Sequence, residues 1–454
     1  MRSHEEGAMR SGVATLTWEP IVLAVIVFVL TIFGLLMIYS ASSIMALTSE
    51  ATNHNPTYYL TRQLMYAVAG VVAAVVIALN DYHLWSERLC MLIDVVTIVA
   101  LGAVLFTSAG QDAYGATRWI TMGPISLQPS EFAKASVILA AASATERYFE
   151  YDRDLKGFGV RLAVMVGIPL LLILRQPDKG TVCIIGATVA IMLFLAGMPL
   201  KYVLGAGGVA LAIVMMLAFR DDYSYKRIAT MWDPWQDPYG SGYQVIQGLY
   251  AFGSGGIFGM GLGNSRQKYS YLPMAHNDFI YAVIGEELGF VGALAVLVFF
   301  ALLVWIGFRI ARSAPDLSGR LIASGCVTLL AIQLCINAGG VLSMIPLSGK
   351  PVPFISYGGS SIISTLILMG LVISVARTAQ ASPSRSFTVY EGTTQGLRVI
   401  EGGLGSPADV RASRGAQGPA GRVSFNANGT RRIDLGPSAS DRLRGRDAGR
   451  GGRG

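Results

Sequence analysis

An all-α polytopic membrane protein, with ten transmembrane helices and a large extracytoplasmic loop between helices 7 and 8, is the fold class that three features of the sequence predict. The A/V/I/L/M/F/W/Y/C fraction of the 454 residues is 53%, and Asp, Glu, Lys and Arg make up only 14%, against about 25% in ordinary soluble domains. Apolar stretches of bilayer-spanning length recur along the chain. Basic residues collect in alternate loops between those stretches.

A span takes about 20 mostly apolar residues, because every backbone polar group inside hydrocarbon has to be satisfied within the helix. Ten stretches qualify, centred on residues 20–41, 63–80, 89–107, 131–146, 159–174, 180–198, 200–219, 279–308, 319–342 and 359–376. The first follows a charged leader, residues 1–19, and has no small-residue cleavage motif near its end, so it reads as a signal anchor. The leader and the loops after the second, fourth, sixth and eighth stretches hold Arg2, Arg10, Arg88, Arg147, Arg153, Lys156, Arg161, Lys201, Arg309, Arg312 and Arg320. Short loops of the opposite parity hold only Arg62, Arg118, Arg175, Lys179 and Lys350. Cytoplasmic loops carry the Lys/Arg excess, so both termini are expected in the cytoplasm; the loop at 220–278 is too long to enter that tally.

The membrane body is thus expected at 20–377, followed by a Gly/Ser/Ala/Arg tail at 378–454. From Arg377 onward the chain has 13 Arg, no Lys and 6 acidic residues, which accounts for the whole formal net charge of +7. The body is neutral in sum, which argues against a nucleic-acid partner. The tail is too poor in apolar residues to fold, so it reads as disordered, with docking to anionic headgroups or to a division partner as the alternative. Cys90, Cys183, Cys326 and Cys335 sit in apolar stretches without C-x-x-C spacing, so neither a disulfide framework nor a zinc site is implied.

By parity, the loops between stretches 3–4, 5–6, 7–8 and 9–10 share the outer face, and they contain nearly all the dense polar, Gly, Pro and aromatic sequence. The chemistry is therefore expected outside the cytoplasm. Loop 3–4 presents Gly115, Arg118 and Trp119, then Gln128-Pro129-Ser130-Glu131, with Lys134 entering the next span. Glu131 and Lys134 share a helix face and can pair, either as a functional intramembrane pair or as a structural pin; Ser130 reads as a helix cap. Loop 5–6 is Arg175-Gln176-Pro177-Asp178-Lys179, a charged turn that also reads as a plain polar hairpin.

Loop 7–8 includes Trp232, Trp235 and Tyr239, which suit interfacial anchoring, and a glycine run from Gly253 to Gly263. No Gly-Lys-Ser/Thr follows the run, so it is not a nucleotide loop; it would let re-entrant backbone approach a headgroup. The loop ends in Met274-Ala-His276-Asn277-Asp278, where outer water meets apolar span. An acid there suits a general base, since partial desolvation raises its proton affinity; a helix cap is the competing reading. Loop 9–10 carries Ser356, Tyr357 and Ser360, hydroxyls that fit an anionic group or ordinary turn chemistry. Asp94 lies alone inside the third span, either in a structural hydrogen bond or on a functional path.

Together, the stretches Gly115 to Lys134, Gln176 to Asp178, Gly242 to Glu287 and Pro346 to Ser361 resemble the SEDS family (shape, elongation, division and sporulation) in wording and order, over about residues 20–377. Within it, Asp233-Pro-Trp235, Gly261 to Lys268 and Ala275 to Ile280 are closer to the division branch than to the elongation branch. The resemblance implies a peptidoglycan glycosyltransferase of the bacterial cytoplasmic membrane. That enzyme would polymerise lipid II at the septum beside a class B penicillin-binding protein transpeptidase and other division-site membrane proteins. It also implies a catalytic role for Asp278 and substrate-binding roles for Arg118, Trp119, Gln128, Ser130, Glu131, Lys134, Asp178, His276, Ser356, Tyr357 and Ser360. A divalent cation, Mg2+ or Mn2+, is implied on the same ground. The sequence departs from the family pattern at Met274, where Glu is usual, and at Lys179 and Lys350, where apolar residues are usual. A lipid II flippase and a non-enzymatic division scaffold are the alternative readings.

Overall fold

The structure, a computed structural model, describes residues 18–106, 110–113, 116–122, 125–151, 153–269, 271–381, 423–425 and 431–433. The leader before Trp18, Gly115 and most of the Arg-rich tail lie outside the described residues. Met1–Ser382 form one compact unit. In the second unit, Val423–Phe425 and Arg431–Ile433 pair as antiparallel strands.

The first unit is built from helices. In chain order they are α1 (Glu19–Thr48), α2 (Tyr58–Leu79), α3 (Cys90–Phe106), α4 (Pro129–Glu146), α5 (Leu155–Leu162), α6 (Ile168–Arg175), α7 (Lys179–Leu195), α8 (Leu200–Arg220), α9 (Asp222–Trp232), α10 (Tyr243–Gly255), α11 (Ile280–Ser313), α12 (Leu317–Val341) and α13 (Gly359–Ala381). Each of the ten expected stretches is helical. Among the described residues, seven helical segments are long and apolar enough to cross a bilayer, namely α1, α2, Leu155–Arg175, α8, α11, α12 and α13, while α3 and α7 are apolar but shorter. Ile21, Val25 and Phe28 of α1 stand exposed on the outside of the bundle, the reverse of a soluble helix and the arrangement that hydrocarbon rewards.

Starts and breaks follow from local chemistry. Asp178 caps α7 by accepting from Thr181 N at 3.2 Å, and Asp316 caps α12 by accepting from Gly319 N at 2.7 Å. Pro129 opens α4, with Gln128 at the cap position; Ser130, expected as the cap, is the second residue of the helix. The stretch expected as one helix over 159–174 is interrupted by a π-turn at Ala163–Gly167 just before Pro169, whose ring removes one backbone donor.

α12 and α13 are buried nearly throughout and form the centre of the bundle. α2 packs along α13 so closely that a Cβ on Gly370 would come 2.7 Å from Ala74 O, the small-residue contact that lets helices approach in a membrane. Three short antiparallel strands, β1 (Gly110–Ala113), β2 (Ala116–Met122) and β3 (Ile125–Leu127), fold the segment between α3 and α4 into a sheet of order β1-β2-β3.

The long segment after α8 is largely structured, because α9 and α10 occupy much of it. The glycine run serves packing. Gly289 breaks α11 with φ 71° and ψ −167°, and the carbonyls released there accept from the run: Met260 N to Glu286 O at 3.0 Å and Gly261 N to Glu287 O at 2.9 Å. Gly259 and Gly289 meet so closely that a Cβ on either would strike the other segment's backbone.

Candidate functional site

Five segments converge at one end of the bundle: the β2–α4 region, the α6–α7 turn, α9, the segment before α11 and the loop between α12 and α13. Asp178, buried at the α6–α7 turn, binds Lys350 of the α12–α13 loop through both oxygens, at 2.6 and 2.7 Å. Burial alone would raise its carboxyl, but Lys350 and then Arg118 outweigh burial and hold it down at about 2. Ser130 Oγ reaches the same carboxylate at 3.5 Å and accepts from Gln128 Nε2 at 3.1 Å. Gln128 N donates to Ser360 Oγ at 2.8 Å, which carries the network to α13.

A second buried chain runs beside it. Lys134 donates to Glu131 at 2.7 Å and to Gln333 Oε1 at 2.8 Å, and Gln333 Nε2 donates to Pro351 O at 2.8 Å. Lys134 is only 2% exposed, so its charge is shielded from solvent and balanced by Glu131. Arg118, half-buried on β2, spends Nε on Gln176 O at 2.9 Å and Nη2 on Pro177 O at 2.8 Å. Its neighbour Trp119 is half-buried and stands opposite Gln111 in the sheet.

Asp278 lies two residues before α11. The cap position of that helix belongs to Phe279 and has no side-chain cap bond, so Asp278 does not cap. Its own carbonyl accepts from Asn337 Nδ2 at 2.8 Å, and the same amide donates to Lys350 O at 2.7 Å, which locks the start of α11 to α12 and to the last loop. The carboxylate is partly buried and, among the described residues, makes no hydrogen bond. Burial pushes this carboxyl upward, against the opposing pull of Arg227 and Lys350.

His276 is buried among aromatic rings, 4.5 Å from Tyr59 and 5.5 Å from Tyr357 by ring centroids. Burial lowers it to about 4, so the imidazole is neutral near pH 7, and its Nδ1 is buried without a partner. Its carbonyl accepts from Tyr357 N at 2.9 Å; burial pushes the Tyr357 phenol up to about 12. Ser356 Oγ accepts from Val352 N at 2.7 Å within its own loop. Met274 adopts φ 51°, and its carbonyl accepts from Asn277 N at 2.9 Å. Asp94 accepts from Ser136 Oγ at 3.2 Å, away from this end.

Two sets of functional candidates were missed from sequence. Arg227 on α9 approaches Asp278 across Gly349, and Glu286 and Glu287 bind side chains and backbone beyond the glycine run: Arg266 N donates to Glu286 at 2.9 Å, and Ser40 Oγ of α1 to Glu287 at 2.7 Å. Among the described residues no three His, Cys, Asp or Glu side chains come together. Asp178 is taken by Lys350 and Asp278 faces Arg227 and Lys350, so the described side chains of this site do not by themselves fit a resident Mg2+ or Mn2+.

This geometry can be set against known proteins. A relative from Trichlorobacter lovleyi, a probable peptidoglycan glycosyltransferase FtsW, is 41% identical over 363 residues, covering 80% of this chain and 94% of its own. Stage V sporulation protein E of Bacillus subtilis is 39% identical, with 80% and 98% covered. Among solved structures, a chain of a peptidoglycan synthase complex, studied for how polymerization and crosslinking are coordinated, superposes with TM-score 0.61 at 30% identity, over 79% of this chain and 97% of its own. The rod shape determining protein RodA of Thermus thermophilus gives TM-score 0.57 at 26% identity, with 80% and 96% covered. The cell cycle protein family FTSW_RODA_SPOVE matches residues 21–381, and the chain therefore belongs to that family, the SEDS proteins, on its FtsW-like side.

Proposed function

We propose that this chain is a peptidoglycan glycosyltransferase that polymerises lipid II on the outer face of the bacterial cytoplasmic membrane, at the septum, with ten spans and both termini in the cytoplasm. The observation that carries the reading is Asp278: an acid without hydrogen-bond partners among the described residues, set where the polar loops converge and held by its backbone. Outside the cytoplasm no nucleotide-sugar pool exists, so the donor has to arrive activated on a lipid diphosphate. Asp278 takes the proton of the acceptor GlcNAc 4-hydroxyl as that oxygen bonds to C1 of the donor MurNAc. The C1–O bond breaks, and the electron pair leaves with undecaprenyl diphosphate; single displacement inverts C1. The raised proton affinity of Asp278 suits this role, since a base acts best near its working pH.

The Asp178–Lys350 and Glu131–Lys134 pairs hold the framework around the reacting groups rather than the reacting groups themselves. The partner is a class B penicillin-binding protein that cross-links the strands, in company with other division-site membrane proteins; the solved synthase complex supports that pairing.

Purified protein given lipid II and its cognate transpeptidase should make glycan strands resolvable by gel electrophoresis, and Asp278→Asn should abolish them. The sign of linkage supplies a folding control. An acid whose proton affinity rises on folding costs stability once ionised, so the variant should melt at the wild-type temperature or above near pH 7. Full polymerisation by Asp278→Asn would remove the base from the mechanism.

A further inference from the structure

The reaction leaves behind a diphosphate anion, and five basic side chains of the polar loops and helix starts are already engaged. Lys134 pairs with Glu131, Lys179 with Asp221, Lys268 with Glu287 and Lys350 with Asp178. Arg118 is tied to two carbonyls of the α6–α7 turn. Arg227 differs from these in both position and charge balance. Nη1 donates to Leu347 O at 2.6 Å, Nη2 donates to the Tyr223 hydroxyl, and the Tyr223 ring centroid lies 4.5 Å from its Cζ. These contacts are neutral: no ion pair among the described residues includes Arg227. They fix the plane of the guanidinium and leave further N–H groups of its five unspent.

Gly349 defines the space in front of it. With φ 65°, it sits where L side chains are disfavoured, and a Cβ there would come 3.2 Å from Asp278 Oδ2 and 3.6 Å from Arg227 Nη1. The acid and the guanidinium thus face one small floor from two sides, and the bare glycine keeps that floor open. We propose that Arg227 holds the diphosphate of the lipid-linked sugar donor over Gly349, beside Asp278. Planar, permanently charged guanidinium matches phosphate oxygens two at a time, which an ammonium cannot do. It also offsets the charge that collects on the leaving oxygen as the C1–O bond breaks. The inference rests on the polymerase reading above and adds the residue that receives the leaving group.

Binding separates the two ideas. Undecaprenyl diphosphate, titrated into the full-length protein in nanodiscs, should bind Arg227→Met at least tenfold more weakly than wild type and Arg227→Lys with an intermediate loss. Asp278→Asn should bind it at least as well as wild type, since it removes a nearby negative charge. Inorganic pyrophosphate should follow the same rank order at lower affinity; equal affinity for both would place recognition in the diphosphate alone and overturn the lipid-linked donor as the specific ligand. In unmodified protein, undecaprenyl diphosphate should protect Arg227 from phenylglyoxal, read by mass spectrometry of its peptide. Wild-type binding by Arg227→Met, or labelling of Arg227 unchanged by the lipid, overturns the proposal. Because neither measurement needs turnover, the Arg227 assignment can fail while Asp278 stands, and the reverse.

Discussion

Asp178 and Lys350 lie 172 residues apart in the chain and meet in a buried ion pair, a contact that neither local sequence announces. Removing one partner of such a pair strands a charge and costs about 3–5 kcal/mol, whereas removing both charges together strands neither. Lys350→Met and Asp178→Asn should each lower the melting temperature markedly, and the double variant should recover most of the loss in a thermal-unfolding cycle. Since Asp178 is held at about 2 when folded, its contribution is present above the ordinary carboxylate range and disappears as pH falls toward 2. Glu131 and Lys134 were legible because charge is costly in an apolar span, and Arg118, Asp178 and Asp278 because they stand in the polar loops that border the spans. Arg227 was not legible. It stands among Asp221, Asp222 and Lys226, and what distinguishes it is a carbonyl 120 positions away.

Helices were the most readable elements, because bilayer-length apolar runs leave the backbone few other ways to satisfy itself. Breaks within helices were less so. The π-turn in Leu155–Arg175 and the interruption at Gly289 depend on what packs against them, as does the three-stranded sheet after α3, whose segments are short and carry no strict alternation. Helix α9 was hidden by its polar composition and α10 by its short length and its glycines. Gly289 gives the sharpest test at this scale. Its φ/ψ region is nearly exclusive to glycine and costs other residues about 1–3 kcal/mol, and a Cβ would also strike Gly259 N. Gly289→Ala should therefore lower the melting temperature and depress polymerisation together, whereas an Ala placed at Gly205, which has open space around it, should change neither.

The bundle has a second ordered end, opposite the site. His83 bridges Asp81 and Asp316 at 2.7 Å each, Tyr82 donates to Asp316 at 2.6 Å, and Thr378 reaches Asp81 at 3.4 Å, joining the α2–α3 and α11–α12 connections to α13. Burial lowers the proton affinity of His83, yet the two carboxylates more than reverse this and raise it above 6.5. The stabilisation is thus complete below about 6.5 and lost as pH climbs through the raised value. Wild type should melt at progressively lower temperature across that interval, and His83→Gln should flatten the slope. α2 and α13 have a consequence for biogenesis. The first is among the earliest segments the ribosome releases and the second among the last, so α2 waits in lipid, with few companions, until nearly the whole body has been synthesised. A nascent chain stopped short of Gly359 would leave that face unclaimed, a natural signal for quality-control proteases to act on.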